Sequence, residues 1–210
     1  MRKTTHYSLP TNHSSGFSLI ELLVVLAIFS VITAVVLVQG NRFDSSILLT
    51  NLAYETALTV REAQVYGISV KGETSASALA FQHAYGVYLN TLDDKSITSF
   101  ADRNDNQVYD SGDNACGGGS SECLDILKMS RGNHLGKICA ISTGVSATEF
   151  CSDTNGSFND LSITFKRPNP DAVIKNGLGT YQNASIYLTS ADGLGTRVLK
   201  IESTGQISIE

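Results

Sequence analysis

Hydrophobic positions fall into distinct regimes along these 210 residues. From Phe17 to Val38 the chain is almost wholly apolar, and Glu21 is the only charge in those 22 residues. At ~1.5 Å per residue a helix of that length reaches ~33 Å, enough to cross the hydrocarbon core of a bilayer. Ser18, Ser30 and Thr33 are interruptions a helix tolerates, and Gly40-Asn41 is the first weak point, just past the span. Beyond it the pattern turns amphipathic. Ile47, Tyr54, Leu58 and Val65 recur at spacings of seven, four and seven, as one face of a helix does. Asn51, Glu55, Arg61 and Glu62 fall at polar positions between them. No proline occurs from Phe17 to Gly67, and Gly67 is the expected C-terminal stop. The pattern predicts one helix of about 50 residues, ~75 Å long, whose second half packs on a globular head.

From Tyr85 the pattern shortens to strands separated by Gly, Asn and Asp clusters. Tyr85–Asn90 and Ser96–Ala101 are joined by a turn at Leu92-Asp93-Asp94-Lys95, and Cys123–Ser130 and Leu135–Ser142 by one at Arg131-Gly132-Asn133. Leu161–Arg167 alternates, with Leu161, Ile163 and Phe165 on one face and Ser162, Thr164 and Lys166 on the other. Pro168-Asn169-Pro170 ends that strand, because neither proline can donate to a ladder. Between Asp171 and Gly179 the pattern decides nothing. Ser185–Ser190 and Arg197–Glu202 follow, and Ser203-Thr204-Gly205-Gln206 closes a hairpin into Ile207–Glu210, with Leu199, Ile201, Ile207 and Ile209 facing the core. The fold class predicted is α+β: a long N-terminal helix packed on an antiparallel β head.

Glu21 asks for a chemical reason. A charge at the centre of a membrane-length apolar helix costs ~3 kcal/mol, so such residues are functional candidates by default. The stretch before it, Met1 to Gly16, carries Arg2 and Lys3, no acid and no apolar run. A secretory signal places its apolar segment before a small-residue cleavage site; here the small residue comes first and the apolar segment follows. Basic residues before the span place the leader on the cytoplasmic side and the C-terminus outside.

Gly16-Phe17-Ser18-Leu19-Ile20-Glu21 closely resembles the cleavage and N-methylation signal of type IV prepilins and type II secretion pseudopilins. The resemblance implies cutting by a prepilin peptidase after Gly16 and N-methylation of Phe17. It also implies that Glu21, fifth in the mature chain, neutralises the terminal amine of a neighbouring subunit. The implied layout is a leader over 1–16, a membrane or filament-core half-helix over 17–38, an amphipathic half-helix over 39–67, and a β-rich head over 68–210. The head, with its Asp/Asn-rich turn, its Val60-Arg61-Glu62-Ala63-Gln64 stretch and its Val-Leu-Lys-Ile-Glu-Ser-Thr-Gly-Gln-Ile-Ser hairpin, resembles GspH/FimT-type minor pseudopilins. The implied partners are other pilins through the helix, the peptidase and the inner membrane. The precursor would be a single-pass inner-membrane protein that later enters a cell-surface or periplasmic filament. A major pilin, or a pilus-borne module for adhesion or DNA uptake, is the alternative.

Charge narrows the partners. The formal net charge is −5, and losing Arg2 and Lys3 with the leader makes it −7. So acidic a chain lacks the basic stripe that nucleic acid requires, and Lys166-Arg167 is the only candidate pair, better read as solvated residues at a strand end.

Two further constellations carry chemistry. In the loop from Asp102 to Asp113, oxygen side chains occupy positions 1, 3, 5, 9 and 12 (Asp102, Asn104, Asn106, Asp110, Asp113), and Val108 at position 7 offers a carbonyl. That is the ligand spacing of an EF-hand Ca²⁺ loop, weakened by Gln107 in place of the glycine at position 6, by Asp113 in place of the longer Glu, and by the lack of flanking helices. The competing reading is an Asx-rich turn that bonds its own backbone. Cys116, Cys123, Cys139 and Cys151 allow three disulfide pairings in an oxidising compartment; the chosen one is Cys116–Cys123 with Cys139–Cys151, the two short sequential loops. Their spacings do not make zinc knuckles. No catalytic residue is predicted: His6 and His13 leave with the leader, and His83 and His134 stand alone.

Overall fold

The computed structural model describes residues 16–69, 83–111, 116, 121–144, 147–154 and 156–210, and for 38–44 the backbone alone. Arg2, Lys3, His6 and His13 of the expected leader, and Asp113, lie outside the described residues. Helix α1 spans Leu19–Ile68, and the chain divides into two compact units, Met1–Arg42 and Phe43–Glu210.

In the first unit, Leu19–Leu37 is long and apolar enough to cross a membrane, and none of it is buried. Its hydroxyls are satisfied locally. Ser30 Oγ donates to the Ala27 carbonyl and Thr33 Oγ1 to that of Phe29, each at 2.8 Å, so neither asks for water in an apolar setting.

Among the described residues the second unit carries one antiparallel sheet of ten strands: β1 Ala84–Asn90, β2 Ser96–Asp102, β3 Cys123–Lys128, β4 His134–Ser142, β5 Glu149–Cys151, β6 Asp160–Phe165, β7 Ala172–Asn176, β8 Gly179–Thr189, β9 Thr196–Glu202 and β10 Ile207–Ile209. The path β10-β9-β8-β7-β6-β1-β2-β3 branches at β8, which also pairs with β4, and β4 with β5. Tyr181 faces Ile174 of β7 and Ser142 of β4, so those strands take opposite edges of β8. Asn183 likewise lies between Ile141 of β4 and Glu202 of β9, so β7 and β9 share one edge in succession. Two strands exceed the sequence pattern. β7 fills the undecided stretch after Pro170, and β5 is three residues held by pairing Cys139 with Cys151.

The core lies between the second unit's helix and one face of the sheet. Leu49, Leu52, Ala53, Thr56, Val60, Ala63 and Gln64 are the buried helix positions, facing residues such as Val87, Leu89, Ile138, Ile163, Phe165, Ile186, Leu199 and Ile201. This corrects the predicted face. Ile47, Tyr54, Leu58 and Val65 are 44%, 58%, 67% and 50% exposed, on the side away from the sheet. At its C-terminal end the helix approaches the sheet closely. A Cβ at Gly67 would lie 2.3 Å from the Phe165 carbonyl oxygen, and Arg167 N donates to Gly67 O at 3.0 Å. Gly67 therefore sits inside the last turn and serves packing, one residue before the helix ends. Gln64 adds a polar tie: its Nε2 donates to the carbonyls of Pro170 and Gly205 at 2.9 and 3.0 Å, joining the helix to two loops.

The β6 alternation also resolves differently. Ser162 and Thr164 are as buried as Leu161 and Ile163, and the loop after β2 reaches this face where Tyr109 N donates to Ser162 Oγ.

Candidate processing site and head loop

Gly16, Phe17 and Ser18 precede the helix and are exposed. The first helical bond, Leu22 N to Ser18 O at 3.2 Å, begins immediately after them. The Gly16–Phe17 bond is thus non-helical and accessible, as a peptidase substrate must be. A Cβ at Gly16 would meet nothing within 4 Å, so packing in this chain does not require glycine there. Glu21 lies in the first turn of α1, where the positive end of the helix dipole favours a carboxylate. Phe17 thus stands four residues before this single negative charge.

The loop after β2 is the structured feature of the head's outer face. Asp102 is fully buried, and its carboxylate accepts the backbone N–H of Asn106 at 3.2 Å and of Gln107 at 2.9 Å. Asn104 Oδ1 accepts Asn106 N at 3.1 Å, and Asn106 Oδ1 accepts Val108 N at 2.8 Å. The side-chain amides of Asn104 and Asn106 converge on Asp110 Oδ2 at 2.6 and 2.7 Å. Five of the six positions with ligand spacing are therefore gathered in one turn, their oxygens engaged largely with the loop's own amides, as Asx turns do. Gln107, standing where an EF-hand has glycine, takes the left-handed conformation itself, at φ 65°.

Glu122 was not legible as a structural residue. It is 4% exposed, and its carboxylate accepts Arg103 N at 3.1 Å and Asp110 N at 2.8 Å, clamping both ends of the loop. Burial, then the nearby Asp102 and Asp110 charges, push its pKa above the ordinary carboxylate value against the pull of the two N–H donors. Lys175 Nζ reaches the Asn106 carbonyl at 2.9 Å, and Lys166 pairs with Asp105. That ion pair takes Lys166 out of the candidate basic patch. So held, the loop delivers Tyr109, whose N–H donates to Ser162 Oγ at 3.0 Å and whose ring meets Phe100 and Tyr88 at 5.4 and 4.8 Å.

Disulfides join Cys116 to Cys123 and Cys139 to Cys151. The second closes a cross-strand pair of β4 and β5, which removes its sulfurs from the only Cys/Glu grouping, with Glu149, that could have held a metal among the described residues. His83 Nδ1 lies 3.1 Å from the Asp102 carbonyl and His134 Nδ1 3.3 Å from that of Gly132, each a local backbone contact.

Residues 11–37 match the family model of the prokaryotic N-terminal methylation motif. No curated protein and no solved structure matches the chain. The methylation motif spans the Gly16-Phe17 bond, Glu21 and most of the apolar segment; the head lies outside it.

Proposed function

We propose that this chain is a structural subunit of a type IV pilus or a type II secretion-type pseudopilus, matured by a prepilin peptidase that cuts after Gly16 and methylates Phe17. The observation that carries it is a lone carboxylate in the first turn of an unburied apolar helix, inside a matched methylation motif. The precursor waits in the inner membrane with its leader cytoplasmic and its head outside. Cutting removes Arg2 and Lys3 and frees an amine at Phe17. Glu21 of one subunit then meets the amine of another within apolar surroundings, where each charge offsets the desolvation cost of the other. Unburied in the single chain, the helix over 19–37 is covered by its neighbours in the filament. The exposed stripe of Ile47, Tyr54, Leu58 and Val65 gives the head's part of the helix a second apolar face for them to cover.

A minor subunit of the GspH/FimT kind, priming or capping assembly, is the finer form of the proposal. It is supported by the Val60–Gln64 stretch and by the C-terminal hairpin. Mass spectrometry of sheared filaments and of the membrane fraction tests both levels. A terminal peptide starting at N-methyl-Phe17, at trace level in filaments and mostly in the membrane, is the expected result. The same peptide abundant in filaments would make this the major subunit. Only intact Met1 protein, in cells whose other prepilins are processed, would overturn the proposal. Glu21→Ala is expected to stop assembly while leaving membrane insertion intact.

A further inference from the structure

On the outer face of the β1–β2 hairpin, opposite the core side chains of Leu89 and Ile97, four polar side chains form two cross-strand pairs. Tyr88 faces Thr98, and Asn90 faces Ser96 by continuation of the same register. Asp93 rises from the turn at one end, and Tyr109 stands at the other, brought there by the clamped loop. Together the six side chains line a cavity of about 180 Å³.

Its chemistry is selective by what it contains and what it lacks. The Thr98 hydroxyl and the Tyr109 hydroxyl take no hydrogen bond among the described residues, so both stay available as donor and acceptor. Asp93 uses Oδ2 to accept Ser96 Oγ at 2.6 Å and keeps its other oxygen. The Asn90 amide donates to Tyr88 OH at 3.3 Å while its oxygen accepts Leu92 N at 2.8 Å, which fixes its orientation. Burial raises the pKa of both tyrosines, so their hydroxyls stay protonated donors at neutral pH. Among the described residues no cationic side chain lines the cavity, which disfavours a phosphate or carboxylate ligand. The polar floor excludes an aliphatic one. A lone carboxylate already shared with Ser96 is a poor cage for a cation. What fits is a small neutral molecule with several hydroxyls, each both donor and acceptor, and one C–H face to lie on a tyrosine ring.

We infer that the Tyr88/Tyr109 cavity binds a single pyranose sugar, with the Thr98 and Tyr109 hydroxyls, Asn90 and Asp93 taking its hydroxyls. The placement is costly in structure: Glu122, Ser162, Asp102 and Lys175 all hold the loop that supplies Tyr109, so the wall is preorganised. Because the cavity lies in the head, the inference stands apart from processing at Gly16.

The test is saturation-transfer NMR on the full chain in a zwitterionic detergent without a sugar headgroup, against a panel of free hexoses and N-acetylhexosamines. At least one sugar is expected to take up saturation at its ring C–H protons, with a Kd on the order of millimolar for so small a ligand. Thr98→Val and Tyr109→Phe each delete one hydroxyl and keep shape, and each is expected to weaken binding about fivefold. No transfer to any sugar of the panel would overturn the inference. So would a sugar bound equally by the wild type and by both variants, since its site would then be elsewhere. Melting curves confirm folding; should Thr98→Val unfold, Tyr109→Phe alone decides. Peptidase cleavage at Gly16, followed in the same variants, reads the assembly proposal separately and is expected to be unchanged.

Discussion

Gly67→Ala sets two physical effects of opposite sign against each other. By local propensity the change should stabilise, since Ala is favoured over Gly by ~1 kcal/mol within a helix. By packing it should do the reverse. The new Cβ would lie 2.3 Å from the Phe165 oxygen, 2.7 Å from its carbonyl carbon and 2.9 Å from its Cβ. Two of those three atoms are backbone of β6, which cannot swing aside as a side-chain tip can. Relieving the contact moves the last helical turn from the strand by about 1 Å, judged by the usual C···O separation. Overpacking of this kind costs ~1–3 kcal/mol. The same retreat lengthens the 3.0 Å bond from Arg167 N to Gly67 O, at a further ~1 kcal/mol. Packing outweighs propensity, leaving a net loss of about 2 kcal/mol. In a unit of this size that lowers Tm by roughly 4–8 °C. Thermal unfolding of the full chain in detergent, followed by far-UV circular dichroism of the sheet, measures it. A Tm unchanged or raised would refute the close helix–strand approach, because propensity would then have acted alone.

Three other outcomes are expected. Gln107→Gly should raise Tm by roughly 1–4 °C, since a non-glycine residue at φ 65° carries a left-handed penalty of ~1–2 kcal/mol, partly offset by glycine's entropy; a fall would mean the Gln107 side chain supports the loop. Replacing Cys139 and Cys151 together by serine should cost ~3 kcal/mol, as for a short closed loop, and lower Tm by roughly 6–12 °C, with little change counting against a structural bridge for β5. For Glu122 the sign follows from its raised pKa: the folded state holds this proton more tightly than the unfolded one. Its contribution favours folding below the ordinary carboxylate range and is lost as pH rises through the folded pKa. Asp160, raised chiefly by burial, adds the same sign. Glu122→Gln should therefore flatten the decline of Tm from about pH 4 to neutrality, and an unchanged slope would show that Glu122 does not titrate on unfolding.

Local patterns were legible wherever one residue's neighbours in sequence were also its physical constraint. The apolar run, the first-turn carboxylate and the strands on either side of the Asp93 and Gly132 turns are of that kind. Leu199 and Ile201 reach the core as alternation requires, and Ile207 and Ile209 pack against it half-buried. Reading the helix face failed for a stated reason. Large apolar side chains at helical spacing do not mark the packing side here: the sheet takes the face of Leu49, Leu52, Ala53, Thr56, Val60, Ala63 and Gln64, which ends in the close contact of Gly67 with Phe165. Alternation puts Ser162 and Thr164 on the outer face and carries no sign that they are buried there, Ser162 beneath the loop that brings Tyr109. β5 had no pattern of its own, since three residues become a strand only when β4 is beside them.

What the sequence determined by itself is therefore the N-terminal segment and its chemistry: a membrane-length apolar helix, a single carboxylate in its first turn, and a glycine before it. These depend on order along the chain and on the energy of charge in an apolar medium. Only the tertiary structure decided which side of the helix the sheet takes, which acid is buried to clamp the head loop, and which polar side chains of β1 and β2 meet Tyr109 around one cavity. Residues Tyr88, Thr98 and Tyr109 are far enough apart in sequence that no periodicity relates them; strand register and a loop held by Glu122 and Ser162 bring them together.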